Sequence, residues 1–305
     1  SSHFGSRQRS RIPVMQSTPF HPEQGNLAMA EASARRLYES GFEGWDIQQA
    51  TYLTGYLIMT ISIALAFLAY DAMRGSEFGL WGLLTQFGLF ALFEGVAYGF
   101  GGITHHMLDT YFERGEPMDR SWGHPNSEWM FAWLMAVVCA PLASSCCAGS
   151  AFAFGELGIG WIKVVKVCGA IVSVFEGYLV FSDQVDSSGT VAVYWAVITS
   201  LLSCCACFSR GSRQAGVWQI FIGNVVRLAG FFIIIFAPAS CRSAGGSRFG
   251  CPYPEEFNHN AIYHCCIAAS VVLIYAGVMD KFKLDRENAY NLMMRPKPEG
   301  RMCGC

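Results

Sequence analysis

Residues 50–71 read ATYLTGYLIMTISIALAFLAYD, and no charged side chain interrupts them before Asp71. As a helix rising 1.5 Å per residue, this run crosses a hydrocarbon core of roughly 30 Å, which takes about 20 apolar residues. Its apolar residues are continuous rather than alternating, which argues against a barrel strand. Working outward, six further runs of the same kind follow at 79–104, 128–153, 157–181, 189–208, 216–237 and 259–280. Composition agrees: 14% of residues are charged and 52% hydrophobic, against roughly 25% charged in a soluble domain. The expectation is an all-α polytopic membrane protein with seven transmembrane helices. Residues 1–45 read as a loosely ordered N-terminal arm with one short helix around Glu31–Tyr38. Residues 46–281 form the seven-helix transmembrane domain, and 282–305 a charged C-terminal tail. The opening SSHFGSRQRSR has no apolar core and does not read as a signal peptide.

Seven spans put the two termini on opposite sides of the membrane. On the C-terminal side, short loops and flanks carry Arg74, Arg210, Arg213, Lys281, Lys283 and Arg286, with Lys163 and Lys166 nearest that side. On the N-terminal side, Arg114, Arg120, Arg242 and Arg248 are diluted by Asp109, Glu113, Glu116, Asp119, Asp183 and Asp186. Arg35 and Arg36 pull the other way, but the balance predicts a cytoplasmic C-terminus. Cys241 and Cys251, ten residues apart in a loop on the N-terminal side, are disulfide candidates suited to an oxidising compartment. The net charge of −2 and the lack of a basic patch exclude nucleic acid as an expected partner. The bilayer itself is the partner the composition demands.

The topology brings polar residues to one level. The second span ends, and the seventh begins, on the N-terminal side. His105, His106, His259 and His264, four of the seven histidines, therefore share one depth. Glu128 opens the third span at that level, and Glu176 lies near the same end of the fourth. In the second span Glu94, Tyr98, Gly101 and His105 follow i, i+4, i+7, i+11 and share a face. Gly95, Gly99 and Gly102 lie beside it, where a neighbouring helix can approach closely. In the seventh, Asn260 and His264 lie one turn apart, whereas His259 is rotated by roughly 140° from His264 at 100° per residue. The best constellation is His105 or His106 with Asn260 and His264, and with Glu128 or Glu176 as carboxylate help.

Imidazoles from separate helices suit Zn²⁺, and three protein ligands leave a position for an acidified water that attacks an amide or ester. A carboxylate beside it serves as general base or orients a ligand. Histidines at helix ends also commonly cap or meet lipid headgroups. Glu94 and Arg227 both fall near mid-bilayer, where an unpaired charge costs several kcal/mol, so a pair helped by Asn224 is expected.

Seven spans, a histidine ending the second and a polar-His motif opening the seventh resemble the superfamily of alkaline ceramidases and adiponectin-type receptors. That group carries Ser-x-x-x-His on the second span and Asp-x-His-x-x-x-His on the last. The resemblance implies a zinc site for amide hydrolysis. Here Phe257-Asn258-His259-Asn260-Ala261-Ile262-Tyr263-His264 places Asn258 at the Asp, Asn260 at the first His, and His264 at the second. Gly101 stands four residues before His105 and Gly102 four before His106, where the group has Ser.

Two readings follow. One is an intramembrane, metal-dependent lipid amide hydrolase. In it, His105, His106, His259 and His264 supply metal ligands, Glu128 and Glu176 assist catalysis, and a lipid substrate arrives laterally from the bilayer. The other is a non-catalytic seven-helix receptor or structural subunit. There Asn258, Asn260 and the histidines form a helix clamp, because an amide both donates and accepts.

Overall fold

The computed structural model describes residues 46, 48–74, 82–120, 122–182, 184–209, 215–237, 253 and 257–294. The short helix expected around Glu31–Tyr38 and the cysteine pair Cys241 and Cys251 lie outside these residues. Seven helices are long and apolar enough to cross a membrane. They are α1 (Gln49–Met73), α2 (Leu83–Arg114), α3 (Trp129–Phe154), α4 (Ile159–Phe181), α5 (Thr190–Cys207), α6 (Val217–Ile235) and α7 (His259–Met294). One 3₁₀ turn, Val185–Ser187, precedes α5. No strand occurs among the described residues. The architecture is the expected all-α, seven-span one of an integral multi-pass membrane protein. Two helices outrun their apolar cores. α2 continues ten residues past Thr104 to Arg114, and α7 runs through the charged stretch after Lys281 to Met294. Hydropathy marks where a membrane ends, whereas a helix ends where its backbone groups find other partners. At Gly115 the left-handed conformation (φ 70°) closes α2, with the Glu116 N–H donating back to the Tyr111 carbonyl at 3.0 Å.

Six helices form a ring in which α1 packs on α2, α2 on α3, α3 on α5, α5 on α6, α6 on α7, and α7 on α1. α4 sits outside the ring, against α3 and α5. Its outer face exposes Trp161, Val167, Ile171, Val174 and Tyr178, as a lipid-facing helix should. Lys163 and Lys166 lie in its first two turns, so their long side chains are placed to reach the membrane surface.

α2 has two working faces. Its glycine stripe meets α1: a Cβ on Gly95 would lie 3.0 Å from Ile63, and one on Gly99 only 2.5 Å from the sulfur of Met59. Dispersion between closely approached backbones is what holds helices together where lipid is as apolar as the protein. The stripe of Glu94, Tyr98, Gly101 and His105 faces the interior of the ring. A second close approach pins α6 to α7, where a Cβ on Gly216 (φ 79°) would lie 2.0 Å from the Gly277 carbonyl oxygen.

Candidate functional site

The ring encloses a cavity of about 610 Å³ walled by α2, α3, α5, α6 and α7. One wall is polar, with Glu94, Tyr98 and His105 from α2, Arg227 from α6, and Asn260, Tyr263 and His264 from α7. The apolar part of the lining includes Ala136 and Val137 from α3, Ala192 and Val193 from α5, and Ile234 from α6. Eleven residues separate Glu94 from His105, so the polar wall extends about 16 Å from the N-terminal side toward mid-bilayer. On the α5 flank the lining includes Tyr194, which is 55% exposed.

The end nearest the N-terminal side is organised by a residue that sequence reasoning missed. Asp46 lies three residues before α1, outside every apolar run. Its Oδ2 accepts hydrogen bonds from the Thr51 hydroxyl (2.6 Å), Asn258 Nδ2 (2.7 Å) and Asn260 Nδ2 (2.6 Å). Its Oδ1 accepts from the Gln48 N–H at 3.0 Å. Burial alone would push this carboxyl up. His105 nearby and the bonds from Thr51, Asn260 and Gln48 outweigh burial and hold it below its ordinary value. The available signal was positional: an acid just before the first span stands at the level of the Asn/His cluster.

Both asparagines have dual roles. Asn258 is the N-cap of α7, its Oδ1 accepting the Ala261 N–H at 3.0 Å while its amide donates to Asp46. Asn260 gives one amide N–H to Asp46, and its carbonyl oxygen has no hydrogen bond among the described residues.

The two cavity histidines are fixed alike. His105 Nδ1 donates to the Asp46 carbonyl, and His264 Nδ1 donates to the Thr51 carbonyl (3.1 Å), with the Thr54 hydroxyl oxygen also at 2.9 Å. Because a carbonyl only accepts, each Nδ1 must carry the proton. In the neutral ring the lone pair is then on Nε2. Neither Nε2 has a hydrogen bond among the described residues, and both rings line the cavity. His259 also lines the cavity, its ring 6.1 Å from that of Tyr253.

Other expected members are elsewhere. His106 faces outward on α2, stacked on Tyr52 at 4.6 Å and 3.2 Å from the Tyr56 hydroxyl. Glu128 accepts from the Tyr111 hydroxyl at 3.0 Å. Glu176 caps α5, taking the N–H groups of Gly189 and Ala192, both at 2.6 Å. A carboxylate there meets the positive end of the helix dipole and satisfies two of its open donors. Neither glutamate lines the cavity.

Deeper in the cavity the Tyr98 and Tyr263 hydroxyls bond each other, and beyond them Arg227 forms a two-pronged pair with Glu94. Ser144 lies 3.5 Å from the same guanidinium, which also stands over the rings of Phe90 and Phe231. The pair is as expected from two charges at one depth. Asn224 does not join it: its amide donates to the Ile220 carbonyl, and its oxygen faces the Cys147 thiol at 3.7 Å.

The donor set bears on the zinc that the ceramidase resemblance implies. Among the described residues no group of three or more His, Cys, Asp or Glu is placed to hold a metal ion. His105 and His264 occupy two of the implied positions, and Asn260, a neutral amide, occupies the third. The cluster is one imidazole short of that site. No protein-family model matches the chain, and no curated protein or solved structure is a match to it.

Proposed function

We propose that this is a non-catalytic, ligand-binding seven-helix membrane protein of the receptor type. The cluster at its N-terminal side is a clamp over an amphiphile-binding cavity. The observation that supports this reading is how the polar groups are used. Thr51, Asn258 and Asn260 converge on one carboxylate oxygen, and His105 and His264 fasten the same segment through the carbonyls of Asp46 and Thr51. These bonds join the approach to α1 with the ends of α2 and α7. A cavity lined by both polar and apolar residues suits an amphiphilic ligand, reaching it from the bilayer past Tyr194. In this reading His264→Ala lowers thermal stability and abolishes no lipid turnover. Loss of a hydrolytic activity in a variant as stable as the parent would contradict it.

A metal-dependent lipid hydrolase is the second reading. What favours it is the pair of Nε2 lone pairs on His105 and His264, since a carbonyl-anchored Nδ1–H is also how metal-binding imidazoles are oriented. The shortfall of one imidazole counts against it. Zinc content of the purified protein separates the two.

A further inference from the structure

The chemistry left over at the clamp end of the cavity selects a class of ligand. It rests on reading the cavity as a ligand site. Most hydrogens of the clamp are already committed: both Nδ1–H groups go to carbonyls, the Thr51 hydroxyl goes to Asp46, and each asparagine amide gives one of its two N–H groups to the same carboxylate. The acceptors left without a hydrogen bond among the described residues are Nε2 of His105, Nε2 of His264 and Oδ1 of Asn260, all on residues that line the cavity.

A ligand arriving there also meets a carboxylate. Asp46 lines the cavity, and among the described residues no lysine or arginine lies within ion-pair distance of it. The one guanidinium on the cavity wall, Arg227, is neutralised by its two bonds to Glu94. Its depth also removes it from the clamp end by most of the polar wall. Three acceptors beside a carboxylate that has no lysine or arginine partner among the described residues match a group with several N–H donors and a positive charge. They oppose a carboxylate or phosphate, which would bring like charge and more lone pairs.

We propose that the cavity binds a single-chain amphiphile with a primary ammonium headgroup. The ammonium sits among His105, His264 and Asn260 beside Asp46, and the alkyl chain lies on the apolar wall of α3, α5 and α6. A primary ammonium has three N–H donors, one for each acceptor. It remains charged at neutral pH, because alkylammonium groups titrate near 10.

The test uses the full chain in neutral detergent micelles at pH 7, with four ligands of one chain length: hexadecylamine, N-acetylhexadecylamine, hexadecanol and palmitic acid. Affinity is read by competition, and thermal stabilisation serves as a second readout. The expected order is amine first, then alcohol and acetylated amine, then acid, with about tenfold or more between amine and acid. Asp46→Asn should remove the advantage of the amine over the alcohol. Should that variant fail to fold, the comparison of amine with acetylated amine in the parent chain reads the same charge. Palmitic acid binding as tightly as the amine, or amine and alcohol binding alike, would overturn the ammonium assignment while leaving a ligand cavity. No binding by any of the four would overturn both the assignment and the ligand-binding reading beneath it.

Discussion

Two polar regions share one cavity wall and treat charge in opposite ways. At mid-bilayer, Glu94 and Arg227 face each other with two hydrogen bonds, and phenylalanine rings close over the guanidinium. That pair is self-contained. At the N-terminal side, Asp46 collects hydrogen bonds from hydroxyl, amide and backbone donors, with no lysine or arginine among the described residues within ion-pair distance, and the histidines keep a lone pair each. Depth accounts for the difference. An unpaired charge is costliest at the bilayer centre and becomes tolerable toward the interface, where neutral donors suffice. The comparison teaches that the deep pair is there for integrity, while the shallow cluster has capacity left for something else.

The largest effect expected is at the deep pair. Glu94→Gln strands a buried guanidinium and should cost about 3–5 kcal/mol in unfolding experiments in micelles. Replacing both partners, as Glu94→Leu with Arg227→Met, should recover most of that loss. A double variant as unstable as Glu94→Gln would show that the pair is more than mutual neutralisation.

Asp46→Asn comes next. It keeps the shape but weakens the four accepted bonds, and about 1–3 kcal/mol should be lost. The pH dependence has a definite sign. A carboxyl held below its ordinary value in the folded protein stabilises it fully above the ordinary aspartate value near 4. That contribution disappears as pH falls below about 4 through the depressed folded value, so the parent should lose stability there more steeply than Asp46→Asn. Parallel acid profiles would remove Asp46 from the centre of the clamp.

The smallest effect sharpens the contrast by lying outside both regions. Glu176→Gln weakens the cap of α5 and should cost about 1 kcal/mol, with amphiphile binding unchanged. A change in binding at that position would reconnect Glu176 with the cavity.

Much of this was legible in the sequence because bilayer physics is restrictive. The spans were marked by length and lack of charge, and their observed ends differ mainly where α2 and α7 continue past the apolar stretch. The cavity face of α2 and its glycine face followed from helical spacing, and the deep pair from two charges at one depth. The clamp was less legible. Asn260 and His264 were placed together with His105 or His106, but Asp46 lies in a segment with no period to read, so its three partners looked leaderless. Glu176 was at the right depth but on a helix outside the ring, and depth alone does not say which way a side chain turns.

The measurement that bears most directly on the central claim is made on purified parent protein and His264→Ala together. Zinc content, thermal stability and lipid amide hydrolysis are read on the same samples. The clamp predicts no stoichiometric zinc and no hydrolysis in either, with His264→Ala about 1–3 kcal/mol less stable for loss of the Thr51 and Thr54 contacts. One zinc per chain in the parent, lost together with hydrolysis in an equally stable His264→Ala, would contradict it.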